Sequence, residues 1–365
     1  FFKKTTGVER FINQYGALII CTILIPLTFF NGFFTFDINS LFFRIRKILL
    51  ISLSIVFAYA FIEVLIVKFG MTELKTSLLN IFDYFPFTEA KIDPVGKRIS
   101  SVSFEAPALG TYLLSISAWM FSYIMTGRSK WKFIPTIIVV SLAFLSGSRA
   151  AFFITIIQVV IFVLILLRNS RYSKTFVNTS FSIILTSFII LGIYSKEITG
   201  YVKNEIQSFK LDDKQHSISN KSRFGIQQAM FKVFLKNPIT GTGYGLQAFE
   251  SRKHYPVWAK RDNWEFRVMY LNQNDERFPP GYNIYLRLLS ETGFIGFMIF
   301  CVLLTQIFLW CYNNLNKHNL YSTVILISTI GFSLNWLKMD SFRIYAFWLC
   351  LALIFLLESK KTKNA

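Results

Sequence analysis

The chain has 365 residues, of which 53% are hydrophobic, 18% aromatic and only 16% charged. That is more apolar surface than a soluble domain of this size encloses. The formal net charge is +19, but the basic residues alternate with apolar runs instead of forming one face, which argues against nucleic acid as the partner. Runs of roughly 20 residues almost free of charge recur, the length that crosses a bilayer core as helix.

The pattern predicts an all-α polytopic membrane protein with nine spans, near 17–36, 48–67, 106–126, 133–147, 150–167, 176–194, 288–311, 320–337 and 344–357. The chain opens on Phe1 instead of Met, so it reads as N-terminally trimmed, with further spans upstream. Residues 1–365 are taken as a single integral membrane domain, with an interfacial segment at 68–105 and a large polar loop at 195–283.

Basic residues mark alternate connections. Arg44, Arg46 and Lys47 come first, then Arg128, Lys130 and Lys132, then Arg168, Arg171 and Lys174, then Lys317, and finally the tail of Lys360, Lys361 and Lys363. The positive-inside rule places these in the cytoplasm. The connections 68–105, 146–149, 195–283 and 338–343 then face outward.

In the second span, Glu63 is an ionisable residue, costly in hydrocarbon and by default a functional candidate. Its position near the outer end makes snorkelling to the interface the simpler reading. Leu74, Leu78, Leu79, Phe82 and Phe85 recur at helical spacing in 71–87, which predicts a helix on the outer membrane surface. The segment SFEAPALGTYLL follows. Glu105 and Pro107 stand where a span starts, a place that suits both an acid and a proline. Glu105 caps this helix or serves as a base at the mouth of an outer cavity.

FLSGSRAAFF sets Ser146, Gly147, Ser148 and Arg149 in a very short turn between two apolar runs. Arg149 must therefore lie at the membrane surface, where it pairs with lipid headgroups or offers its bidentate fork to a phosphate. Within the long loop, SRFGIQQAMFKVFLKNP predicts a helix with Phe224, Gln227 or Gln228, Phe231 and Phe234 along one side, ended by Asn237-Pro238. Arg223 is expected at its N-terminus, where free N–H groups favour anions. Gly241, Gly243 and Gly245 in GTGYG form either a plain tight turn or an amide nest for phosphate. Residues 250–281 mix Trp258, Trp264, Tyr255 and Tyr270 with charged side chains, a composition that suits sugars and membrane interfaces equally. The four cysteines (Cys21, Cys301, Cys311, Cys350) and three histidines show neither a CxxC pair nor a metal-ligand cluster. No metal and no cofactor is expected.

Four stretches, FEAPALGTYL, LSGSRAAFF, SRFGIQQAMFKVFLKNPITGTGYGLQAF and YNIYLRLLSETGFIG, in this order, resemble the O-antigen ligase and polysaccharide polymerase superfamily over roughly residues 100–300. The resemblance implies a metal-independent glycosyltransferase of the bacterial cytoplasmic membrane, with its active site outside. Its donor is a glycan on polyprenyl pyrophosphate, and its partners are membrane lipids and a chain-length regulator protein. The family arginines that recognise pyrophosphate carry over to Arg149 and Arg223, with Arg287 as a third candidate. Glu105 or Tyr282 is left to orient or deprotonate the acceptor. Tyr282 stands where the ligase branch typically has a His before its Asn, which favours a polymerase of the Wzy type over a ligase acting on a lipid A core or a protein. A transporter or flippase is the rival of another class. It calls for ionisable residues along a whole membrane path, and Glu63 alone answers that description.

Overall fold

The computed structural model describes residues 2–81, 91–92, 98–168, 217–316 and 319–363. Among these the regular structure is helical, and Phe2 and Thr5 form an isolated β-bridge. The helices in chain order are α1 (Gly7–Ile19), α2 (Ile25–Phe33), α3 (Ile38–Phe69), α4 (Leu74–Asn80), α5 (Ala106–Thr126), α6 (Ile134–Leu145), α7 (Arg149–Arg168), α8 (Ser217–Lys236), α9 (Gln247–Ser251), α10 (Val257–Lys260), α11 (Ile284–Asn314), α12 (Asn319–Asn335) and α13 (Tyr345–Lys363).

Five helical stretches among the described residues are long and apolar enough to cross a membrane: Gly7–Phe33, Ile38–Phe69, Ala106–Thr126, Arg149–Arg168 and Ile284–Asn314, with Leu320–Asn335 a shorter apolar helix. The first of these contains a π-helical turn at Ile20–Leu24, just before Pro26. A proline without an N–H removes one ladder bond, and a π turn absorbs the irregularity. The expected span at 176–194 lies outside the described residues, as do Phe82 and Phe85 of the interfacial segment. Its described part forms α4, with Leu78 buried.

The chain packs as two compact units. The first holds residues 1–20, 166–304 and 336–342, and the second holds 21–165, 305–335 and 343–365. In the second unit, α5 packs along α12, and α13 along α2. A buried polar side chain knits three of its helices together. Gln158 of α7 donates to the carbonyls of Leu114 (3.3 Å) and Ile327 (3.1 Å), and accepts from Ser117 (2.8 Å). In hydrocarbon such a group must find protein partners. Gly331 makes room for it, since a Cβ there would lie 2.2 Å from Gln158 Nε2.

Two expectations are corrected here. Glu63 does not reach the interface: it is fully buried, and its carboxylate accepts from the backbone N–H groups of Ser100 (3.0 Å) and Ser101 (2.6 Å). Ser100 and Ser101 lie outside any helix, so their N–H groups need another acceptor, and a carboxylate anchors them better than a neutral one does. Arg44, Arg46 and Lys47 lie on α3 and not in a connection. Arg46 is buried against the end of α5, where it donates to Thr126 Oγ1 (2.7 Å) and the Ser122 carbonyl (3.2 Å) and lies over the Tyr123 ring. A cation near a helix C-terminus is favoured by the helix dipole.

Candidate functional site

The site of the first unit grows from RFPPGYNIYLRLLSETGFIG, the start of α11. Gly281 follows two prolines and donates its N–H to Asp340 Oδ2 at 2.6 Å. A Cβ at Gly281 would lie 3.0 Å from that oxygen and 3.3 Å from Met230 Sδ. Asn283 caps the helix through Leu286 N (3.1 Å), and Ile284 N bonds the carbonyls of Trp336 and Met339 (both 3.0 Å). These bonds hold Tyr282 between them in the left-handed region at φ 57°. That conformation is uncommon for a bulky residue and persists only where the surroundings impose it.

The Tyr282 ring lies beneath the exposed Arg223 guanidinium at 5.5 Å, and its hydroxyl is 2.7 Å from that of Tyr270. Tyr270 also donates to Glu265 Oε2 at 3.5 Å. A phenol has one proton. Tyr270 directs its proton to the carboxylate, so Tyr282 donates in the tyrosine pair. The Tyr282 oxygen therefore keeps its lone pairs for a third group. Burial pushes the Tyr282 phenol above its ordinary value. Burial raises Tyr270 as well, and Tyr282 and Glu265 push it higher still. Both are protonated at neutral pH. Glu265 was not singled out from the sequence, and Tyr270 only as one of several aromatics, because they stand 17 and 12 positions before Tyr282 on a π-helical turn (Glu265–Tyr270) that no periodicity announces.

Arg223 is not at a helix N-terminus as expected. It is the seventh residue of α8, so no free N–H row adjoins it. Arg287 is 8% exposed. Its guanidinium donates to Glu291 (3.0 Å), the Asp340 carbonyl (2.8 Å) and Gln14 Oε1 (3.0 Å), and stacks on Tyr244. It ties four segments of the first unit together.

The glycine loop has a comparable structural task. α11 is interrupted at Gly293 (φ 63°, ψ −164°), which opens carbonyls on one side of the break and N–H groups on the other. Thr242 N and Gly243 N bond the carbonyls of Ser290 (3.0 Å) and Glu291 (2.8 Å), while Phe294 N and Ile295 N bond those of Pro238 (2.8 Å) and Ile239 (3.3 Å). Glu291, 1% exposed, accepts from Arg287 and from the backbone N–H groups of Gln247 (3.4 Å) and Gly245. Gly241 (φ 68°) would place a Cβ 2.4 Å from the Glu291 backbone. The N–H groups of Thr242, Gly243 and Gly245 face α11, and the nest reading of GTGYG gives way to a close backbone dock. Lys3 completes the frame: its Nζ donates to the carbonyls of Met269, Asn272 (3.1 Å) and Asp275 (2.9 Å), closing the segment that carries Glu265 and Tyr270.

Glu105 and Arg149 belong to the second unit. Glu105 is exposed at the N-cap of α5, where its backbone adopts the cap conformation and its side chain makes no capping bond. Arg149 opens α7 and is half-buried. The turn before it is tightly built: Ser148 N bonds Ser146 Oγ (3.1 Å), and Gly147 takes φ 60°. Arg98, which the sequence reading passed over, lies along that turn. Its Nε donates to the Ser146 carbonyl at 3.4 Å, and a Cβ on Gly147 would lie 3.1 Å from its side chain. The motifs FEAPALG and SGSRAA meet where Gly110 faces Ala151, 2.5 Å from its virtual Cβ.

Residues 134–301 match the family model described as O-antigen ligase. The match supports a likeness to the O-antigen ligase and polymerase superfamily over that segment. The matched segment contains Arg149, Arg223, Tyr282 and Arg287, and leaves Glu105 outside. No curated protein matches the chain. The match and the apolar helices together support a multi-pass membrane protein.

Proposed function

We propose that this chain is a polysaccharide polymerase of that superfamily, which joins glycan repeat units carried on polyprenyl pyrophosphate at the outer face of the cytoplasmic membrane. A hydroxyl oxygen of the incoming repeat forms a bond to the anomeric carbon of the growing chain. The anomeric C–O bond to pyrophosphate breaks, and the leaving group takes the electron pair. Pyrophosphate leaves readily, so orientation and charge stabilisation matter more than strong acid catalysis.

The observation that carries this reading is the directed line from Tyr282 to Tyr270 to Glu265 beside Arg223. Arg223 supplies positive charge for the pyrophosphate. The Tyr282 oxygen accepts the acceptor's hydroxyl proton as its own proton moves to Tyr270 and that of Tyr270 to Glu265. With its phenol raised by burial, Tyr282 serves as a relay and not as a standing phenolate. In the second unit, Arg149 and Arg98 on the Ser146–Ser148 turn are the phosphate-binding candidates. Arg287 and Glu291 position α11, and Glu105 is left as a weaker acceptor-side candidate.

The family description itself favours a second reading, ligation of a finished glycan to another acceptor. A gel profile of surface polysaccharide separates the two. A deletion strain should show a single repeat on the normal anchor, and wild type should restore the ladder. Arg223→Ala and Arg149→Ala should each lower polymer by about 10²-fold or more. Polymer that accumulates on the carrier in the deletion strain replaces polymerase by ligase. An untouched ladder refutes both.

A further inference from the structure

Helix α8 is apolar on two sides. Gly225, Ile226, Ala229, Met230 and Val233 face inward, against a cluster that includes Tyr255, Ala259, Phe266 and Tyr270. Phe224, Phe231 and Leu235 face outward, followed just past the helix end by Ile239, with exposures of 45%, 46%, 60% and 65%. Their spacing puts the three helical residues on one stripe. Phe224 and Phe231 of the side anticipated from the sequence thus lie on the face that the first unit leaves uncovered, with Leu235 in place of the half-buried Phe234.

A cationic edge borders this stripe. Lys232 and Lys236 are exposed beside it, and Lys236 Nζ lies 3.1 Å from His254 Nε2. Lys253 adds a further cation there, with Glu250 as its counterion at 2.8 Å. At its far end the stripe runs into a membrane-crossing helix. The backbone bonds from Phe294 and Ile295 to Pro238 and Ile239 bring Ile239 to the start of an exposed apolar run, Phe294, Ile295, Met298, Ile299 and Val302, along α11.

We infer that α8 lies in the plane of the bilayer surface, in the leaflet where α11 begins its crossing. Its outward stripe sits among acyl chains, and its lysine edge sits against anionic phosphate headgroups. Continuity with the lipid-facing run of α11 selects a bilayer over a protein partner, and lysines flanking an apolar stripe are the pattern of in-plane helices. The docking does not depend on the proposed chemistry. If that chemistry holds, Arg223, next to Phe224, stands at the depth where a lipid-borne pyrophosphate lies.

The test is nitroxide accessibility on the full chain in nanodiscs of phosphatidylethanolamine and phosphatidylglycerol. Labels go on Phe231→Cys and Leu235→Cys, with Ile299→Cys as the lipid reference and Arg261→Cys as the water reference, in a Cys301→Ser background. The ratio of oxygen to nickel-chelate accessibility at 231 and 235 should match that at 299 and exceed that at 261 by about fivefold. Charge reversal by Lys232→Glu with Lys236→Glu should lower the ratio in these discs and leave it unchanged in pure phosphatidylcholine. The inference is overturned if 231 and 235 follow 261, or if both reagents are excluded there, which would mean that protein covers the stripe. A ratio that charge reversal does not move in either disc overturns the headgroup contact.

Discussion

Substituting Arg287 by Ala tests whether this arginine holds the site together or holds substrate. The change leaves the Glu291 carboxylate, 1% exposed, with only backbone donors. It also strips the Asp340 carbonyl and Gln14 Oε1 of their partner. Breaking a buried pair on one side costs about 3–5 kcal/mol, because the remaining charge is uncompensated. At about 2.1 cal/mol/K of unfolding entropy per residue, that corresponds to a fall in Tm of about 4–7 °C for a 365-residue chain. Tryptophan fluorescence on heating is a suitable assay, since buried Trp336 belongs to the same unit. Adding Glu291→Gln removes the stranded charge but keeps an acceptor for Gln247 N, so the double variant should recover about half of the loss. A Tm within about 1 °C of wild type, with polymer formation lost, would refute this reasoning and return Arg287 to the substrate.

Tyr282→Phe removes the oxygen that receives the acceptor proton, and should lower transfer by about 10²-fold with Tm nearly unchanged; an active variant would exclude the relay. Glu63→Ala strands two buried N–H groups at about 1–3 kcal/mol each, so hydrogen exchange at Ser100 and Ser101 should accelerate, with Glu63→Gln between the two. Exchange at the wild-type rate would mean that Glu63 is not the anchor. Gly331→Ala forces Gln158 off its carbonyls, at a cost of about 1–3 kcal/mol. The same chain with Gln158→Ala should regain stability. A thiol-reactive dye reads this, because Cys21, Cys311 and Cys350 are buried in the same unit, and unfolding at the wild-type temperature would refute the clash.

The candidate residues of both units were conspicuous in the sequence because of their chemistry. Arg149 in a turn of small residues, Arg223 on a loop helix and Tyr282 before an Asn stand out against apolar surroundings. What each does was less legible. Arg287 and Arg223 look alike as letters, yet one is enclosed by four segments and the other is exposed over a tyrosine ring. GTGYG reads as a tight turn or an anion nest until the break in α11 at Gly293 shows where its N–H groups go. Arg98 and Glu265 carried no signal, since each gains its meaning from a turn distant in sequence.

Composition and the length of the apolar runs determined that the chain is helical and multi-pass, because a bilayer admits only backbone that satisfies its own hydrogen bonds, and runs of about 20 apolar residues meet that requirement as helix. Only the tertiary structure decided which polar side chains are partnered. Glu63 and Gln158 lie in apolar runs and look anomalous until the N–H groups and carbonyls of other segments reach them. Hydropathy is a local property of the chain. Desolvation and hydrogen bonding depend on what arrives from elsewhere, so the direction of the Tyr282–Tyr270–Glu265 line and the outward stripe of α8 could be read only after folding.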